Sequence, residues 1–175
     1  YYVLVPPLSG NMHREHMPDR FHRISDSTWL DQVKSHFDTY STVELIDVRN
    51  DLKAAKNERD VYFKTDIHWN PYGSYFGYRQ LMRRVHRDVP AVGPPCTLED
   101  LAFRVDTNDH GDLAGMLGLN DVLTRVEPFI VPLRPHKATF SHFPESPGQY
   151  YFLDRPMTYS QPDTTLPKLL MFHDS

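Results

Sequence analysis

Residues 60–87, DVYFKTDIHWNPYGSYFGYRQLMRRVHR, restrict the fold more than any other part of the chain. An apolar segment is followed by a polar break, an Asn-Pro step and a long amphipathic pattern. Asn70 suits a helix N-cap, because its side-chain oxygen can accept from the first free N–H groups. Pro71 then falls at the first helical position, where its missing N–H leaves no bond unmade. Tyr75, Tyr78, Met82 and Val85 recur at helical spacing and predict an inward stripe. DVYFKT therefore reads as a strand that feeds directly into a capped helix.

The preceding residues repeat that alternation. YYVLVPP predicts a short strand stopped by prolines, and LSGNMHREHMPDRFHR a surface loop. Ser27 is the expected cap of a helix reaching about Tyr40, with Trp29, Leu30, Val33 and Phe37 on one face. TVELIDV predicts a second strand and RNDLKAAK a short helix. Strands alternating with helices in this way predict an α/β layered domain with a mostly parallel sheet. Beyond the loop DVPAVGPPC, TLEDLAF has the start of a capped turn, and GDLAGMLGL predicts a short helix near the site. From about residue 122 to 160 the pattern becomes strand-like in VLTRVEPFIVPL, KATFSHF and QYYFL. This predicts a β-rich antiparallel insertion within a single domain spanning 1–175, before the chain rejoins the sheet at KLLMFHDS.

Charge and cysteine usage exclude several classes. The formal net charge is −4, with both signs interspersed, so nucleic acid is not an expected partner. Arg79, Arg83, Arg84 and Arg87 form the densest basic stretch and read as a solvated helix face. The lone Cys96 excludes an internal disulfide framework and a Cys-x-x-Cys zinc cluster. No apolar run approaches the ~20 residues of a membrane span. The first residue is Tyr1 and the last Ser175; both ends read as cuts in a longer chain, leaving a C-terminally incomplete domain.

Two places can carry chemistry. Asp66 and His68 stand two apart, and in extended backbone such residues share a side, so a carboxylate could orient an imidazole through Nδ1. The same pair could equally serve a turn, with Asp66 as its cap and His68 packed on Trp69. Ser175 follows an apolar run, as a nucleophile does on a strand-to-helix turn, but also as a simple helix cap does. His13, His16 and His22 lack carboxylates at regular ligand spacing, so no metal is expected there. Gly111, Gly115 and Gly118 do not follow phosphate-loop spacing and suit close packing or turns. Trp69, Tyr72 and the Tyr150-Tyr151 pair offer rings for stacking on sugars, or for a core.

VYFKTDIHWNPYGSYFGYRQLM, GDLAGMLGL and LPKLLMFHDS, in that order after YYVLVPP and HMPDRF, resemble one family across nearly the whole chain. It is the SGNH-hydrolase-like domain of alginate O-acetyltransferases and related polysaccharide O-acetylation proteins. The resemblance implies that Asp66 orients His68, that His68 is the base and that Ser175 is the acyl-accepting nucleophile. It places the Asp/His pair before the serine, the reverse of ordinary SGNH hydrolases. It also implies an extracytoplasmic location, in the periplasm or on a membrane anchor outside this segment. An exported, alginate-like polysaccharide would be the acceptor, and a membrane-bound O-acyltransferase would deliver acetyl groups; no cofactor is expected. Two other readings stay open: an esterase or deacetylase with the same triad, and a glycan-binding relative without turnover. The opening loop lacks the Lys and Tyr-Pro-Glu-like run usual in relatives. With nothing after Ser175 to shape an oxyanion hole, this segment alone is expected to be a poor catalyst.

Overall fold

The computed structural model describes residues 1–109, 111–123, 125–134, 138–142 and 157–173. Its core begins with two short strands, β1 (Val3–Leu4) and β2 (Leu45–Ile46), paired in parallel with Val3 opposite Leu45 and Leu4 opposite Ile46. The crossover between them holds α1 (Ser9–Met12), a 3₁₀ turn (Arg14–His16) and α2 (Trp29–Tyr40). Parallel neighbours require such a crossover, and a helix is its usual content.

α2 starts one residue later than a Ser27 cap would set it. Thr28 is the N-cap, and its hydroxyl accepts from the Asp31 backbone N–H at 3.3 Å while the Asp31 carboxylate accepts from the Thr28 N–H at 2.8 Å. This reciprocal box satisfies two orphan donors, which a cap at Ser27 would not. α3 (Arg49–Ala55) follows β2 and buries Leu52 completely.

α4 (Pro71–Asp88) has the predicted start, with Asn70 as cap and Pro71 in the first turn. Its buried face is Tyr72, Tyr75 and Phe76 together with Gly73 and Gly77; Tyr78 from the expected stripe is exposed. The apolar face thus lies one step round from the predicted one and is concentrated in the first half of the helix. Further along, Arg79 and Arg84 pair with Asp51 and Glu44 and are largely covered, Arg79 lying over the Tyr75 and Phe76 rings. Arg83 and Arg87 are exposed, so the expected solvated face holds for part of the stretch. The core joins Met12, Ile46, Val48, Leu52, Val61, Tyr62, Tyr72, Tyr75 and Phe76, with Phe103 and Ile130 packed against it.

β3 (Leu101–Asp109) and β4 (Arg125–Pro132) form an antiparallel pair with Phe103 opposite Ile130, and α5 (Asp112–Met116) lies between them in sequence. β5 (Thr139–His142) pairs antiparallel with β6 (Met157–Ser160). The antiparallel region therefore starts at Leu101, some 20 residues before the expected Val122, because the capped turn at Thr97–Asp100 hands straight over to a strand. QYYFL lies outside the described residues.

The domain is a mixed α/β structure, and among the described residues its parallel pairing is confined to β1 and β2. Two expected strands differ. DVYFKT contributes one isolated bridge, Tyr62 to Trp69, because the chain doubles back and satisfies its own backbone groups there. LPKLLMF is extended coil with Leu169, Leu170, Met171 and Phe172 between 56% and 89% exposed. A strand needs a partner edge, and no described strand pairs with residues 167–173.

Candidate active site

The site is built on the doubled-back segment between Val61 and Asn70. The Asn70 N–H donates to the Val61 carbonyl at 3.0 Å, and the Phe63 N–H to the His68 carbonyl at 3.2 Å. Asn70 is 2% exposed and uses both ends of its amide. Its Oδ1 accepts from the Gly73 N–H at 2.9 Å, capping α4, and its Nδ2 donates to the Asp60 carbonyl at 2.7 Å. One side chain thus fixes the base of the loop and the start of the helix.

At the tip of that loop, Asp66 Oδ1 stands 2.6 Å from His68 Nδ1 and accepts from the His68 backbone N–H at 3.0 Å. Asp66 is 7% exposed, whereas the His68 ring is 38% exposed. Burial pushes the Asp66 carboxyl upward, but donation from the His68 backbone and ring and from the Asp112 backbone outweighs it. The net result is a carboxyl held below its usual range, hence ionised. An ionised carboxylate at Nδ1 fixes that nitrogen as the protonated one and leaves Nε2 as the basic atom. Among the described residues Nε2 has no hydrogen-bond partner. The pair can therefore take a proton from a group brought to the exposed edge of the ring.

α5 completes the support. The Asp112 N–H donates to Asp66 Oδ2 at 3.3 Å, and the Leu113 N–H to the Thr65 carbonyl at 3.0 Å. The first free N–H groups of this short helix are thus used on the Asp66 loop. The approach requires glycine before the helix, since a Cβ on Gly111 would fall on the Thr65 carbonyl. The Asp112 carboxylate stands 3.4 Å from His68 Nδ1, a second negative group at the same nitrogen. Thr65 Oγ1 is buried beside them without a partner among the described residues. Sequence reasoning placed GDLAGMLGL near the site but assigned no role to Asp112; the Gly-Asp step opening that word was the signal.

The other expected site residues are placed as follows. Trp69 is half-buried, and its ring lies over α4 where a Cβ on Gly77 would come within 2.6 Å of it. Tyr72 is 4% exposed, edge-on to Phe76 at 5.2 Å and under the Arg59 guanidinium. Its ring belongs to the core, one of the two roles the sequence left open for it. Ser175, like Tyr150 and Tyr151, lies outside the described residues, so its distance from His68 is not part of the geometry above. His13 and His16 come together with Glu15, not with His22. Among the described residues, no helix is long and apolar enough to cross a membrane.

Solved structures share this fold. The O-acetyltransferase domain of Pseudomonas putida AlgJ superposes with a TM-score of 0.53 at 18% identity, covering 75% of this chain and 49% of that one. A DHHW family protein from Eubacterium siraeum gives 0.60 at 18% identity, covering 79% and 43%. Bacillus cereus PatB1, solved with a sulfonyl adduct, gives 0.59 at 18% identity, covering 91% and 49%. The chain thus spans about half the length of each of these structures or less. No curated protein sequence matches it. A family sequence model does match, over residues 1–146, and that match takes in both the Asp66–His68 loop and the helix that braces it. The chain belongs to the family of the SGNH hydrolase-like domain of the acetyltransferase AlgX.

Proposed function

We propose that the protein is a polysaccharide O-acetyltransferase that works through an acetyl-serine intermediate, with Ser175 as nucleophile. His68 Nε2 takes the Ser175 hydroxyl proton as Oγ attacks the acetyl carbonyl, and returns it to the departing donor group. In the second half-reaction His68 takes the proton of an acceptor sugar hydroxyl, whose oxygen attacks the acetyl-serine. The new ester leaves on the glycan, and the serine regains its proton. Asp66 keeps the imidazole in the required tautomer throughout. The acetyl donor is a membrane-bound O-acyltransferase, the acceptor an exported, alginate-like glycan, and the site of action extracytoplasmic.

One observation carries this reading: a buried, ionised Asp66 bound to His68 Nδ1, in a chain whose family is that of an acetyltransferase. The AlgJ neighbour, an O-acetyltransferase domain by name, supports the same chemistry. The test uses the full-length protein and a generic acetyl ester. Intact-mass analysis should show an acetyl adduct that is absent in Ser175→Ala and sharply reduced in His68→Ala. A sulfonyl fluoride should block it. Wild-type protein that neither gains the adduct nor releases acetate would end the proposal. Acetate release without transfer to any glycan would make it an esterase instead.

A further inference from the structure

The opening loop holds a second cluster of ligand-bearing side chains, well separated in sequence from the Asp66–His68 loop. His13, Glu15 and His16 each offer a ligand atom, and these atoms all lie within 4.8 Å of one another. The set differs from the three histidines prominent in the sequence: Glu15 takes the place of His22. We propose that His13, Glu15 and His16 form a binding site for a zinc-class divalent cation within the opening loop.

The cluster is held in shape by contacts that need no metal. The His13 ring meets Tyr62 edge-on at 5.7 Å, and Tyr62 itself is buried with its hydroxyl donating to the Pro7 carbonyl. The His16 ring stacks on His13 at 5.7 Å with 12° between the planes. The backbone is pinned on both sides, with the His13 N–H on the Ser9 carbonyl at 2.9 Å and the His16 N–H on the His13 carbonyl at 3.1 Å. Lys56 reaches from the end of α3 to the Met12 carbonyl at 2.6 Å and to Glu15 Oε1 at 2.9 Å. That ion pair holds the Glu15 carboxylate beside the two rings. Lys56 holds Oε1, the oxygen that also stands 3.5 Å from His13 Nδ1, so a cation there would share the carboxylate with the ammonium.

Two imidazoles with one carboxylate form a three-ligand set suited to zinc, with a fourth position left for water. Magnesium and calcium prefer all-oxygen shells and fit poorly. The second cluster, Asp66, His68 and Asp112, has one imidazole whose Nδ1 is already taken by Asp66, and belongs to the site described above.

Isothermal titration of the full chain with Zn²⁺ should show one site whose occupation raises the melting temperature, and Mg²⁺ should give neither effect. His16→Ala, an exposed position, should weaken zinc by at least about tenfold, since loss of even a supporting residue commonly costs that much. Glu15→Gln should weaken it as well. His22→Ala and Asp112→Ala should leave zinc binding unchanged. Absence of binding overturns the proposal, as does binding that survives His16→Ala or disappears in His22→Ala or Asp112→Ala. Circular dichroism of each variant separates loss of the site from loss of the fold.

Discussion

Asp112 gives its backbone N–H to Asp66 Oδ2 at 3.3 Å, while its own carboxylate stands 3.4 Å from His68 Nδ1. The main chain of one residue thus supports the orienting carboxylate, and its side chain adds a second charge to the same imidazole. The two contributions separate by substitution. Asp66→Asn removes the group that fixes the tautomer and should lower acetyl-ester turnover by on the order of 10³–10⁴-fold. Asp112→Asn keeps the backbone donor, and its carboxylate is half-exposed, so the loss should be about tenfold or less. Equal losses in steady-state kinetics of the full-length protein would refute this ranking.

Gly111 and Gly115 make a matched pair four residues apart. A methyl on Gly111 meets the Thr65 carbonyl, whereas one on Gly115 comes no closer than 3.7 Å to Asn120 Oδ1. Gly111→Ala should therefore cost about 1–3 kcal/mol and displace α5 from the Asp66 loop, with a matching drop in turnover. Gly115→Ala lies inside the helix and should be neutral or stabilising by up to about 1 kcal/mol. Urea midpoints of the two variants provide the comparison.

Asn70 combines a helix cap with two donations, a part-buried one to the Asp60 carbonyl at 2.7 Å and a buried one to the Tyr62 carbonyl at 3.5 Å. Asn70→Ala loses both functions and leaves the Gly73 N–H and the Asp60 carbonyl unpaired. A destabilisation of about 2–4 kcal/mol is expected. Asn70→Ser keeps an acceptor for the cap and should fall between wild type and Asn70→Ala. A serine variant no more stable than the alanine one would show that the cap contributes little.

Several carboxyls are held below their ordinary range. Donation by the Lys56 ammonium brings Glu15 down to about 2. The Thr28 hydroxyl and then Arg49 depress Asp31, while at Asp47 the contacts to Arg49 overcome burial. Asp66 shifts in the same direction. A depressed carboxyl contributes stability that is fully present above its unfolded pKa and lost as pH falls through the folded one. The urea midpoint should thus be nearly flat from about pH 7 to 5 and decline below about pH 4. Asp66→Asn should flatten part of that decline. A midpoint that rises on acidification would contradict the sign.

Local signals were legible in the sequence wherever a short stretch settles its own structure. The Asn70-Pro71 start, the short helix at Arg49–Ala55 and the Asp66–His68 pairing all rest on neighbours within a few residues. Pairing partners were not legible. DVYFKT has strand composition, yet the Asn70 and His68 backbones close it into a loop. LPKLLMF has the composition of a buried strand, but composition does not supply the edge it would join. β3 went unread because its alternation starts inside a capped turn. Asp112 was hidden for a related reason: its contact with Asp66 spans 46 residues, and only the fold brings the two together.

The doubled-back loop also has a consequence for dynamics. The amides of Phe63, His68 and Asn70 donate, respectively, to His68, Asp66 and Val61, all within the loop, and Asn70 is at once the cap of α4. Loop and helix therefore form one cooperative unit for hydrogen exchange, with these three amides protected alongside those of the first turns of α4. The Asp112 amide belongs to a separate five-residue helix and exchanges through openings of its own. The orientation of the imidazole is thus tied first to the folding of α4, and the contacts of α5 with Thr65 and Asp66 add to it.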